Sequence, residues 1–165
     1  MKLKQLIAAA FVGFLAMTAT AIAGPEVNTS TGIVLVNGRP APGLAVHGFD
    51  VVAYHTKGKP LQGDAKFAVV HKQATYRFTS AEHLKAFKAD PDKYVPAYGG
   101  YCAYGVSVGA KFDGDPRYWK IVDGRLYLNL DQNIYALFLK DVPGTIAKAN
   151  ANWPKLRDKN PNKTS

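Results

Sequence analysis

The dipeptide Asp123-Gly124 separates two apolar runs and limits the fold of this chain more than any other feature. A two-residue hairpin turn needs left-handed backbone at both central positions, and Asp-Gly adopts it at low cost. Beyond the turn, Leu126, Leu128 and Leu130 alternate with Tyr127 and Asn129. Strand side chains point to opposite faces in turn, so the pattern predicts a hairpin over Tyr118–Leu130 with one leucine face. A second hairpin is predicted over Lys66–Phe78: Phe67, Val69 and His71 share one side, and Tyr76 and Phe78 do so after a turn at Lys72-Gln73. Ile33–Val36 reads as a short strand closed by a turn at Asn37-Gly38, and the prolines of Arg39–Gly43 read as loop. Phe49–Tyr54 fits either a short strand or a turn of helix.

Helix signals fill the intervals. Thr79 and Glu82 have the spacing of a capping box, which predicts a helix over Thr79–Ala89 with Leu84 and Phe87 on one face and a stop at Asp90-Pro91. Asp131 predicts a cap for a helix through Lys140, with Ile134, Leu137 and Phe138 inward. Pro143 opens a further helix to about Asn152, ended by Trp153-Pro154. There is no internal repeat and no interdomain linker. The expectation is one small α+β domain in which antiparallel hairpins pack with three or so helices. With 165 residues and 47% hydrophobic composition, the chain suffices for one core and excludes bulk disorder.

Met1–Ala23 carries the three parts of a secretory signal in order. Lys2 and Lys4 supply the charge, Leu6–Met17 the apolar run, and Ala21-Ile22-Ala23 a cleavage box. The alternative is a retained anchor, but the run falls short of the roughly 20 residues a span needs. The expected plan is a signal over 1–23, a leader with a short strand over 24–45, a domain over 46–153, and a flexible basic tail over 154–165. The mature protein is expected to be periplasmic or secreted, with no transmembrane span. Cleavage lowers the formal charge from +9 to +7 and removes both methionines. Basic residues scattered singly on an exported chain argue for a solvated face and against nucleic acid as a partner.

The single cysteine, Cys102, excludes an intrachain disulfide, a CxxC redox pair and a cysteine-rich zinc site. Cys102 is the only sulfur of the mature chain and follows Gly99-Gly100. Three readings stay open for it: buried small hydrophobe, metal ligand or redox thiol. The four histidines, His47, His55, His71 and His83, show no zinc-signature spacing. Asp50 is open as a cap, a ligand or a solvated acid. Tyr54, Tyr98, Tyr101 and Tyr104 are candidates for a polar-tipped aromatic pocket. No phosphate loop occurs, and Ser80 and Ser107 lack a nucleophile-elbow context.

Tyr76-Arg77-Phe78-Thr79-Ser80, followed by His83, Phe87, Pro91 and Tyr94, resembles the YHS domain motif Y-x-F-C-S-x-x-C-x-x-x-F-x-x-x-P-x-x-Y, and His71 stands where that family has a histidine before the Tyr. The family's C-G-M falls on His47-Gly48-Phe49. GFDVVAY, DPDKY, YGGYCAYGV, DPRYWKIVDGRLYLNL and DVPG…NW are similar to secreted bacterial YHS-domain proteins over about Val46 to Trp153. The resemblance implies a metal-binding module of the kind attached to heavy-metal transport ATPases, so a metal ion or a metal-transport protein is the implied partner. The departures matter: His47, Thr79 and His83 stand where that family carries cysteines. Two imidazoles at those places still suit copper or zinc. Some secreted members resemble this chain in a Gly-Gly-x-Cys segment that carries selenocysteine, matching Gly99-Gly100-Tyr101-Cys102, which implies a reactive chalcogen at Cys102. The leading expectation is an exported module holding copper or zinc through His47, His83 and Cys102, with His71 or Asp50 as outer partners. The alternatives are a thiol redox protein acting through Cys102 and a non-metal structural or ligand-binding domain.

Overall fold

The computed structural model describes residues 25–30 and 32–162, so the expected signal over 1–23 lies outside the described residues. The chain is α+β, as its punctuation predicts. Three separate antiparallel hairpins carry the strands: β1 (Ile33–Val36) with β2 (Arg39–Pro42), β3 (Asp64–His71) with β4 (Ala74–Phe78), and β5 (Asp115–Val122) with β6 (Arg125–Asn129). Among the described residues six α-helices fill the connections: α1 (Val51–Lys57), α2 (Ala81–Ala89), α3 (Pro91–Tyr94), α4 (Ala103–Ser107), α5 (Gln132–Lys140) and α6 (Val142–Leu156). No helix among the described residues is long and apolar enough to cross a membrane.

The three hairpins use one turn solution. Asn37-Gly38, Lys72-Gln73 and Asp123-Gly124 all have positive φ at both central residues. This turn twist matches the right-handed twist of the flanking strands. Arg39–Pro42, expected as loop, is the return strand of the first hairpin, with Val36 opposite Arg39 and Ile33 opposite Pro42. Phe49–Tyr54 resolves as the entry to α1, whose cap Asp50 accepts from the N–H groups of Val52 and Ala53. The helix predicted from Thr79 begins two residues later. Ser80 caps α2 by accepting from the His83 N–H, while Thr79 donates its N–H and hydroxyl to Asp50.

Strand alternation on β6 divides the interior in two. Leu126 and Leu128 enter a cluster with Tyr54, Tyr76, Phe78 and Phe87. Tyr127, pointing the other way, joins Tyr98, Tyr101, Phe138 and Leu156 in a second cluster. Period-2 patterning thus makes β6 the shared wall between two aromatic cores.

Both ends of the described residues are tied into the fold. Within the expected leader, Val27 is buried and the Asn28 N–H donates to the Gly99 carbonyl. Gly99 is required here, since a Cβ would fall 2.0 Å from the Glu26 carbonyl oxygen. At the other end, α6 continues through Trp153-Pro154 to Leu156, which packs in the second cluster. Lys111 secures both segments. It is 1% exposed, and its Nζ donates to the carbonyls of Pro25 (2.8 Å), Arg157 (2.9 Å) and Lys159 (2.7 Å). The ammonium also lies 4.4 Å from the Tyr101 ring centroid and 5.7 Å from that of Trp153. Burial lowers its pKa to about 8.

Candidate functional site: a buried aspartate holding a histidine at the surface

The highest concentration of polar contacts in the fold converges on Asp50, a wholly buried carboxylate. Its Oδ1 accepts from Val52 N (2.9 Å) and Ala53 N (3.2 Å), which is the α1 cap. Its Oδ2 accepts from Thr79 N (2.8 Å), Thr79 Oγ1 (2.7 Å) and His83 Nδ1 (2.6 Å). Burying a charge is costly unless it is paired and fully hydrogen-bonded, and these five donors meet that condition. Asp50 therefore ties the start of α1, the end of β4 and the first turn of α2 to one atom group.

The geometry also assigns a tautomer. A carboxylate only accepts, so the proton facing Asp50 must sit on His83 Nδ1. Neutral His83 then carries its lone pair on Nε2. That nitrogen lies 3.2 Å from Thr56 Oγ1, whose hydroxyl is also within reach of the Val52 carbonyl at 3.1 Å. The His83 side chain is 13% exposed and Thr56 is exposed, so the imidazole lies between the buried charge and the surface.

His47 makes a separate pair. Its Nε2 lies 3.0 Å from both carboxylate oxygens of Asp113, which also accepts from Asn28. Val46, His47 and Gly48 have φ of 49°, 52° and 80°, a left-handed run that is costly for β-branched Val46. The Asp113 hydrogen bond raises the His47 pKa above the usual imidazole value, against the opposing effect of burial. Burial pushes the Asp113 carboxyl up, but hydrogen bonds from His47 and Asn28 outweigh it and leave the carboxyl below its ordinary value. A raised imidazole pKa stabilises the fold below the unfolded value and loses that contribution as pH rises through the folded value. Asp113→Asn is thus expected to cost more near pH 5.5 than near pH 8.5, by at most about 0.5 kcal/mol after solvent screening. Thermal melts of both proteins at the two pH values check this. An equal cost at both would remove the ion pair from the account.

Cys102 stands apart from both pairs. It is 1% exposed, and its sulfur accepts from the Gly105 N–H at 3.3 Å as the cap of α4. The thiol also lies 4.0 Å from Asn129 Oδ1, within its donor reach. Burial raises the thiol pKa above its ordinary value, with the backbone hydrogen bonds opposing. Cys102 does border a cavity of about 110 Å³ lined also by Tyr104, Gly105, Val108, Phe112, Leu130 and Ile134, but every other lining side chain that could supply polarity is limited to Tyr104. Such a sulfur resembles a small hydrophobe more than an activated thiolate.

The structure therefore brings Asp50 and His83 together and leaves His47, His71 and Cys102 with other neighbours. His71 lies edge-on to Phe87 at 5.7 Å, and His55 edge-on to Tyr94 at 5.3 Å. Among the described residues no group of three or more His, Cys, Asp or Glu side chains gathers as a metal site. Tyr98 and Tyr101 are buried in the second core. An open groove of about 550 Å³ is lined by Tyr54, Trp119 and Tyr135 with Arg117, Lys120 and Ile121. Asp113, Thr56 and Lys111 carry no motif or periodic signal, and only their contacts mark them. Comparison with family models, curated proteins and solved structures finds no match to this chain.

Proposed function

We propose that this protein is an exported YHS-type module that holds a copper or zinc ion at His83 and passes it to a metal-transport protein. The observation that carries the reading is the 2.6 Å contact of His83 Nδ1 with buried Asp50. Metal-ligating histidines commonly donate their other ring N–H to a carboxylate, which fixes the ring and raises its basicity. Asp50 is suited to that outer role, and Nε2 is the atom left to ligate. Thr56 Oγ1 is the nearest further oxygen, and solvent or a partner protein would complete the shell. An incomplete shell suits transfer better than storage. With Cys102 enclosed, the donors are nitrogen and oxygen, which favours Cu(II) or Zn(II) over Cu(I).

The test is titration of the mature chain with Zn(II) and Cu(II), followed by calorimetry and by histidine ring NMR. One ion per chain is expected, with the His83 Nε2 resonance shifted, binding lost in His83→Ala and retained in Cys102→Ser. Binding weaker than about 100 µM, or binding unchanged in His83→Ala, overturns the reading. The groove beside Trp119 favours a second reading, in which the domain binds an organic ligand on its aromatic wall. Failure of metal binding, with Trp119 fluorescence responding to a ligand, would select it.

A further inference from the structure

The first hairpin treats its two edges differently. Val36 and Arg39 flank the two-residue turn Asn37-Gly38, and such a turn makes the flanking residues a hydrogen-bonded pair. Bonded pairs alternate along a ladder, so Val36–Arg39 and Val34–Ala41 exchange bonds, whereas Leu35–Pro40 and Ile33–Pro42 turn their backbone groups outward. On β2 the outward positions are Pro40 and Pro42, which have no N–H to offer. That edge is closed to any further strand. On β1 the outward positions are Ile33 and Leu35, each with an N–H and a carbonyl, and among the described residues no strand hydrogen-bonds to them, although β3 lies near β1. The same two residues are among the most exposed large apolar side chains, at 78% and 61%.

We propose that two copies of this protein pair along β1, antiparallel about a two-fold axis at Val34. The occupant is a second copy because the strand is complementary to itself. A two-fold at Val34 sets Ile33 opposite Leu35 of the partner subunit, and Leu35 opposite Ile33 of the partner subunit. Both pairs then fall at positions whose backbone groups point across the new seam, so four hydrogen bonds form with no change in either hairpin. Cross-strand partners share a face, so the exposed isoleucine and leucine meet directly. The two hairpins become one four-stranded sheet whose outer edges are both β2. Both are blocked by proline, and the assembly closes at two copies.

Sedimentation equilibrium and amide hydrogen exchange on the mature chain, from about 5 to 500 µM, test this. A monomer–dimer equilibrium is expected, with the Ile33 and Leu35 amides gaining protection as concentration rises. Leu35→Pro removes an outward N–H while keeping the hairpin's own bonds, as Pro40 does on the opposite strand, and is expected to weaken dimerisation at least tenfold. Should that variant misfold, Ile33→Lys places a charge in the seam and is expected to weaken association similarly. A chain monomeric throughout the range, or a dimer indifferent to both variants, overturns the proposal.

Discussion

Asp50→Ala is expected to destabilise the protein by about 4 kcal/mol, a large fraction of the total stability of a domain this size. The substitution removes a fully buried acceptor and leaves the N–H groups of Val52, Ala53 and Thr79, the Thr79 hydroxyl and His83 Nδ1 without it. Loss of the α1 cap alone accounts for about 1 kcal/mol of that. Asp50→Asn separates stability from chemistry. Its NH₂ would face two fixed backbone donors at α1 but only one, the Thr79 N–H, on the other side, so it turns toward Thr79 and His83 and leaves that N–H without an acceptor. The Thr79 hydroxyl can rotate to accept, and His83 can accept at Nδ1 if its proton moves to Nε2. The variant is therefore expected to be destabilised by only about 2 kcal/mol, and to invert the His83 tautomer. Denaturant titration reads the first effect, and ¹⁵N shifts of the ring read the second. If the Nε2 lone pair is the metal ligand, Asp50→Asn weakens metal binding while the protein stays folded. An unchanged tautomer would remove Asp50 from the role of positioning residue.

The second large effect is expected at Lys111. Lys111→Met retains the stem between Tyr101 and Trp153 but deprives the carbonyls of Pro25, Arg157 and Lys159 of their shared donor. The expected loss is about 3 kcal/mol, since hydrogen bonds to charged groups are worth more than neutral ones and the three act as a unit. The damage should be local as well as global. Amides that dock the two chain ends, Asn28 on Gly99 and Asn162 on Lys111, should exchange faster than those of β6. Uniform loss of protection across the chain would mean that Lys111 supports the core itself and not the two ends. Uncompensated, the same substitution would also raise the protease sensitivity of residues 25–30 and 157–162.

The sequence determined the second and third hairpins and the turn of the first, though not its proline-bearing return strand, because turn information is local. Asp123-Gly124 and Asn37-Gly38 bring left-handed backbone with them, and the leucines of β6 alternate whatever surrounds them. Asp131 caps α5 from its own chain neighbourhood, three residues from the N–H it binds. The α2 start was legible to within two residues, since Thr79 and Ser80 are both competent caps. The candidate site was legible as residue types, with His83 and Asp50 both singled out, but their pairing spans 33 positions and leaves no trace in spacing. Cys102 shows the same limit from the other side. Its uniqueness is plain in the sequence, but its enclosure comes from α4 folding against β6. Lys111 marks the far end of this scale. A lone lysine in a basic chain is ordinary, and only the convergence of Pro25, Arg157 and Lys159 on it makes it a structural centre. Turns and caps are fixed by backbone sterics over a few residues, whereas buried charge is placed by whichever distant donors the finished fold brings within reach.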